Sequence, residues 1–150
     1  MKIKGRNLYD ELVVEIGKFA ILWNYFEKTY FANNCTANKI QSDAKYIRLY
    51  AKKQSELAVV FNKWCDKFEM CISDYVTTGM YPENSWNLKE EHLLLIEKFI
   101  EQQGNDLSAG CLLVIFRIRS NLMHGLKDID MLNDQLELFR AINGVLESIE

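Results

Sequence analysis

The stretch Cys111–Lys127, C-L-L-V-I-F-R-I-R-S-N-L-M-H-G-L-K, most constrains what this chain can become. Its first half is too apolar to face water, so it must lie inside a core. Its second half carries Arg117, Arg119, Ser120, Asn121 and His124, and Gly125 follows at once. The pattern predicts an apolar helix that delivers a polar cluster to its own C-terminal end. Arginine and histidine together can hold and protonate phosphate oxygens.

The rest of the chain must then surround that helix. Other apolar residues recur every three or four positions, and sustained period-two alternation is absent, so the surroundings are helical too. Asn7 predicts an N-cap for a long helix from Leu8 to about Phe31, with the stripe Leu12, Val13, Ile16, Phe19, Ala20, Trp23, Phe26 and Tyr30. Asn33 and Asn34 close it. Thr36 caps a more polar helix to about Lys53, with Ile40, Ala44, Ile47 and Tyr50 or Ala51 on one face. A third helix spans about Ser55 to Val76, built on Leu57, Val60, Phe61, Trp64, Phe68, Cys71, Ile72 and Tyr75. Thr77–Ser85 holds Gly79, Asn84 and the only proline, Pro82, and reads as the main loop. Asn87–Glu90 resembles a capping box before a helix packed through Leu93, Leu94, Leu95 or Ile96, Phe99 and Ile100, which ends at Gly104. Asp106 caps the central helix, Leu107 to about His124. The last helix runs from about Met131 to Ser148. The expectation is an all-α bundle of five or six helices in a single domain, residues 1–150. The outer face of the first or last helix is available to a second copy.

Charge and cysteines narrow the function classes. A net charge of −3 argues against a general nucleic-acid coat but leaves room for a local basic site. Cys35, Cys65, Cys71 and Cys111 form neither a CxxC pair nor a Cys/His zinc spacing, which predicts reduced thiols and a reducing compartment. No secretory leader or spanning segment is legible, so a cytoplasmic protein with no membrane contact is expected. No metal ligands and no cofactor are expected, since His92 and His124 lie on different elements without clustered carboxylates.

On a helix turning about 100° per residue, Arg117, Asn121 and His124 fall within roughly 60° of one another, while Arg119 lies about 140° from His124. Two arrangements follow. Arg117 and His124 form the working pair, or the last turn unwinds and His124 swings toward Arg119. Either suits cleavage of a phosphodiester by its neighbouring 2′-hydroxyl. The imidazole is the general acid or base, an arginine steadies the phosphoryl oxygens, and Asn121 orients one or the other. Against these stand plainer uses. Terminal histidines bond helix carbonyls, and the arginines can pair with Asp128, Asp130 or Asp134. His92 and the aromatic stripe Trp23, Phe26, Tyr30, Trp64 and Phe68 are expected in the core. Lys52, Lys53, Lys63 and Lys67 are expected on a solvated face.

The segment R-I-R-S-N-L-M-H-G-L-K resembles the signature of the HEPN superfamily, an arginine followed after four to six residues by a histidine near a helix end. Arg119, with four residues between, and Arg117, with six, both meet that spacing to His124. N-L-M-H-G-L-K, Asn121–Lys127, is similar to one bacterial branch. The resemblance implies an all-α bundle paired as a symmetric dimer with the two motifs facing. It also implies a metal-independent ribonuclease leaving a 2′,3′-cyclic phosphate, with service in toxin–antitoxin or anti-phage systems. It maps the motif arginine to Arg119 and the histidine to His124 as catalytic residues, with Arg117, Ser120 and Asn121 supporting. RNA (tRNA included), a second copy of the chain and an antitoxin or defence protein are the implied partners. Two departures stand out. Ser120 takes a place more often held by Asn, Asp or His. Leu126 takes the place where toxins controlled by a nucleotidyltransferase often carry tyrosine. The alternative class is a non-catalytic HEPN-like dimerisation or RNA-binding module. A third is a structural helical protein.

Overall fold

The computed structural model describes residues 1–67, 90–123 and 132–149; at 67, 90 and 121–123 only the backbone is described. The described chain is mostly helical. The expected all-α class holds, with one small addition at the start. Lys2–Ile3 (β1) and Arg6–Asn7 (β2) pair antiparallel, Lys2 opposite Asn7 and Ile3 opposite Arg6. Lys4 and Gly5 turn between them with φ of 49° and 78°, the double left-handed step of the tightest hairpins. Two residues per strand are too few to show as alternation in the sequence.

Helix α1, Asp10–Phe31, starts two residues later than the pattern predicts. Asn7 is not its cap. Tyr9 is, with no side-chain hydrogen bond. A distant amide does the work instead: the Tyr9 N–H donates to Oδ1 of Asn133 at 3.0 Å, and Nδ2 of Asn133 donates to the Asn7 carbonyl at 2.9 Å. Leu12, Phe19, Trp23, Phe26 and Phe31 are buried, whereas Ala20 faces out. Ala32 and Asn33 end the helix in the left-handed region, and the Asn33 N–H returns to the Glu27 carbonyl at 3.1 Å.

Thr36 caps α2 as expected, its hydroxyl accepting from the Lys39 N–H at 3.2 Å. The helix does not continue to Lys53. It spans Ala37–Asp43, tightens to a 3-10 turn at Ala44–Tyr46, and gives way to extended chain at Ile47, with φ −108° and ψ 118°. The reason lies in two side chains. Ile47 and Leu49 are both buried. Two residues apart they would sit about 200° apart on a helix, but they share one side of an extended strand. Tyr50 and Ala51, one or the other expected inward, are both exposed.

Helix α3, Ala51–Lys67, therefore begins four residues early and buries Leu57, Ala58, Phe61, Trp64 and Cys65. The expected continuation to Val76, the loop Thr77–Ser85 and the box from Asn87 lie outside the described residues. Helix α4, Glu90–Glu101, buries His92, Ile96 and Phe99, while Leu94 faces solvent, against expectation. Gln102, with φ 55°, ends it two residues before Gly104, and its amide donates to the Phe99 carbonyl.

Helix α5, Ser108–Met123, is the core of the molecule. Leu107 holds its cap position, the Leu107 carbonyl accepting from the Cys111 N–H at 3.0 Å, and the expected cap, Asp106, sits one residue earlier and accepts from the Ser108 N–H at 3.3 Å. Every residue from Ala109 to Ile118 is buried, as its all-round apolar sequence demands. Helices α2, α3 and α4 all pack on it, and Trp23 of α1 meets Phe116 with ring centroids 6.4 Å apart. Gly110 sets the closest approach: a Cβ there would lie 2.2 Å from the Leu95 carbonyl oxygen and 2.6 Å from Cβ of Phe99. The last helix, α6, spans Leu136–Glu147, shorter than the expected Met131–Ser148. It lies along α1 through Phe19 and Phe139, 5.6 Å apart. Asn143 reinforces the contact, donating to the carbonyl and carboxylate of Glu15 at 3.0 and 2.8 Å.

Candidate functional site at the end of the central helix

The polar cluster divides on burial. Arg117 is 1% exposed, among the largest fully buried side chains of the structure. Ser120 is also buried, and its hydroxyl donates to the Phe116 carbonyl one turn back at 3.0 Å. Arg119 is half-buried and reaches the surface. The division follows from helical spacing. Positions 117 and 120 are about 60° apart, on the side packed by neighbouring helices. Position 119 is about 160° from 117 and lies on the open side. The backbone of Asn121 is helical; its side chain and all of His124 lie outside the described residues. The structure thus sets Arg119 apart from Arg117 and Ser120.

Arg119 lies over the junction between α1 and α2. Its charge is felt at Cys35, where it and Lys39 pull the thiol pKa down. Burial, and then Glu27, pull harder the other way, and the thiol is pushed up to about 12. Glu27 accepts from the Cys35 N–H at 3.1 Å, and Lys39 donates to the Asn34 carbonyl at 3.0 Å. Two cations, Arg119 and Lys39, thus act on this junction beside one carboxylate, Glu27. A guanidinium flanked by protein on one side and water on the other is suited to a phosphate. It loses less of its field to solvent than a fully exposed one.

The other candidates behave as the plainer readings expect. His92 is buried in the first turn of α4. Trp23, Phe26 and Trp64 are buried and Tyr30 is half-buried, with the rings of Trp23 and Phe26 tilted against each other at 5.3 Å and those of Phe26 and Tyr30 at 5.4 Å, so the stripe is core. Phe68 lies outside the described residues. Lys52 and Lys63 are exposed, and Lys53 pairs with Glu56 at 3.4 Å. Cys35, Cys65 and Cys111 are free thiols, and burial pushes Cys111 far up as well. Among the described residues no three His, Cys, Asp or Glu side chains gather as metal ligands, and no helix is long and apolar enough to cross a membrane.

The sequence reading passed over one surface. Lys45, Tyr46, Arg48 and Tyr50 stand outward on the chain between α2 and α3. The signal is Y-I-R-L-Y, a five-residue alternation inside a segment whose wider spacing predicts a helix.

No family model, curated protein or solved structure matches the chain.

Proposed function

We propose that the chain is a metal-independent endoribonuclease of HEPN type, acting as a symmetric dimer in toxin–antitoxin or anti-phage defence. The observation that carries the reading is the placement of Arg119, half-buried near the end of a helix buried from Ala109 to Ile118, in a segment that supplies His124 five residues further on. His124 takes the proton from a ribose 2′-hydroxyl, and the 2′-oxygen attacks the adjacent phosphorus. The bond from phosphorus to the 5′-oxygen breaks, and the imidazolium returns a proton to that oxygen. The product ends are a 2′,3′-cyclic phosphate and a 5′-hydroxyl. Arg119 steadies the charge on the phosphoryl oxygens. Arg117, sunk in the core, holds the end of the helix in place rather than touching RNA. Asn121 orients the histidine or the phosphate.

A non-catalytic module for dimerisation or RNA binding is the second reading. The inward hydroxyl of Ser120 favours it, because a residue at the centre of the motif is spent on the helix itself. The two readings part in one experiment: total cellular RNA and tRNA are incubated in EDTA with wild type and with His124→Ala. Cleavage by wild type alone supports the nuclease. Intact RNA with a well-folded wild-type dimer overturns it in favour of the module.

A further inference from the structure

Residues 44–55, A-K-Y-I-R-L-Y-A-K-K-Q-S, carry four basic side chains and no acidic one, in a chain whose net charge is −3. The middle of this segment is extended, and its side chains alternate. Ile47 and Leu49 are buried at 4% and 9% exposure, while Tyr46 and Tyr50 are 76% and 56% exposed and Arg48 stands out between them. Side chains two apart on an extended chain are spaced about 6.6 Å. The outward face therefore reads aromatic, guanidinium, aromatic at that spacing, with Lys45 and Lys52 flanking it. Nζ of Lys45 lies 5.2 Å from the Tyr46 ring centroid. Arg48, Leu49, Tyr50 and Ala51 line a shallow hollow of about 160 Å³ with Ser148. The strip is held in place from beneath: Gln54 donates to the Leu49 carbonyl at 3.4 Å, and the Tyr50 carbonyl accepts from the N–H groups of Lys53 and Gln54.

We propose that this strip, Lys45, Tyr46, Arg48, Tyr50 and Lys52, is a docking surface for single-stranded RNA. Exposed rings accept bases of any identity by stacking, and interleaved cations accept the phosphates. Both fit an extended backbone better than a helix, whose neighbouring side chains point in different directions. What the strip would feed rests on the nuclease reading. The α2 segment and its 3-10 turn run from Cys35, within the field of Arg119, to Tyr46. That run is about 15 to 20 Å long, a span of a few nucleotides.

The test is fluorescence anisotropy of a labelled oligo(U) RNA with the His124→Ala protein, where cleavage does not interfere. Adding Tyr46→Ala and Tyr50→Ala should weaken binding by at least about tenfold, and Arg48→Glu by a similar factor. Lys63→Gln, on another face, should leave binding unchanged. Thermal unfolding should not move, because both rings are already outside the core. Equal binding by the tyrosine variant overturns the proposal. So does an absence of oligo(U) binding, or tighter binding to anionic lipid vesicles than to RNA. A protein that binds in the expected way but never cleaves sinks the nuclease and leaves the strip. One that cleaves with no dependence on the tyrosines sinks the strip and leaves the nuclease.

Discussion

Replacing Gly110 with alanine sets two effects against each other, and the structure decides the winner. In a helix interior alanine is favoured over glycine by about 1 kcal/mol. At Gly110 the added methyl would lie 2.2 Å from the Leu95 carbonyl oxygen and 2.6 Å from Cβ of Phe99. Neither is the loose end of a flexible side chain, so α4 and α5 must separate. Overpacking of this kind costs about 1–3 kcal/mol, and more where backbone has to move. The net expectation for Gly110→Ala is a loss of about 2 kcal/mol. For a chain of this size that lowers the thermal midpoint by roughly 4–8 °C. Gly17 is the control. It lies in α1 with nothing near its would-be methyl, so Gly17→Ala should gain up to about 1 kcal/mol. Thermal and urea unfolding of the two variants side by side measures the difference. A Gly110→Ala protein as stable as wild type, or more so, would refute the close packing of α4 on α5. Because α5 also presents Arg119, the same variant should cleave RNA more slowly.

Burial separates the two arginines in a second experiment. Arg117→Ala should lose about 2–4 kcal/mol of stability, since it empties a fully buried site, whereas Arg119→Ala should unfold within about 0.5 kcal/mol of wild type and lose cleavage by about a hundredfold or more. Thermal melts and single-turnover cleavage read the two effects apart. The cysteines give a pH prediction: burial first, then Glu27, raises the Cys35 thiol from 9.0 to about 12, so the unfolded chain loses that proton first and stability should fall as pH rises from 9 toward 12. In a Cys71→Ser background, a thiol reagent at pH 8 should label Cys35, Cys65 and Cys111 only after urea unfolding; rapid labelling of the native protein would contradict their burial. Asn143→Ala should cost about 1–3 kcal/mol in urea unfolding, because both donated bonds to Glu15 go.

The helical class and the central position of α5 were legible because the run from Cys111 to Phe116 has no polar side for water. The stripe on α1 and the cap at Thr36 were legible for similar reasons, each being a local pattern with a local cause. The misses share a different cause. Ile47 and Leu49 override the helical trend of residues 36–53 because both find core contacts only if the chain extends. The start of α1 is fixed by Asn133, more than a hundred residues away, and no local signal announces that. At the candidate site, the sequence placed Arg117 and Arg119 near His124 with either as the working partner. Packing distinguishes them: one is sunk among neighbouring helices and the other reaches water. Sequence spacing alone cannot reveal which side of an all-apolar helix is left uncovered.

The most direct test of the nuclease reading is the chemistry of the cut ends in EDTA, with wild type and Arg119→Ala matched for thermal midpoint. Wild type should leave 3′ ends that resist phosphatase until acid opens a cyclic phosphate, paired with 5′-hydroxyls, and Arg119→Ala should leave almost none. Cut ends bearing 3′-hydroxyls, or equal cleavage by the Arg119→Ala protein, would contradict the nuclease reading.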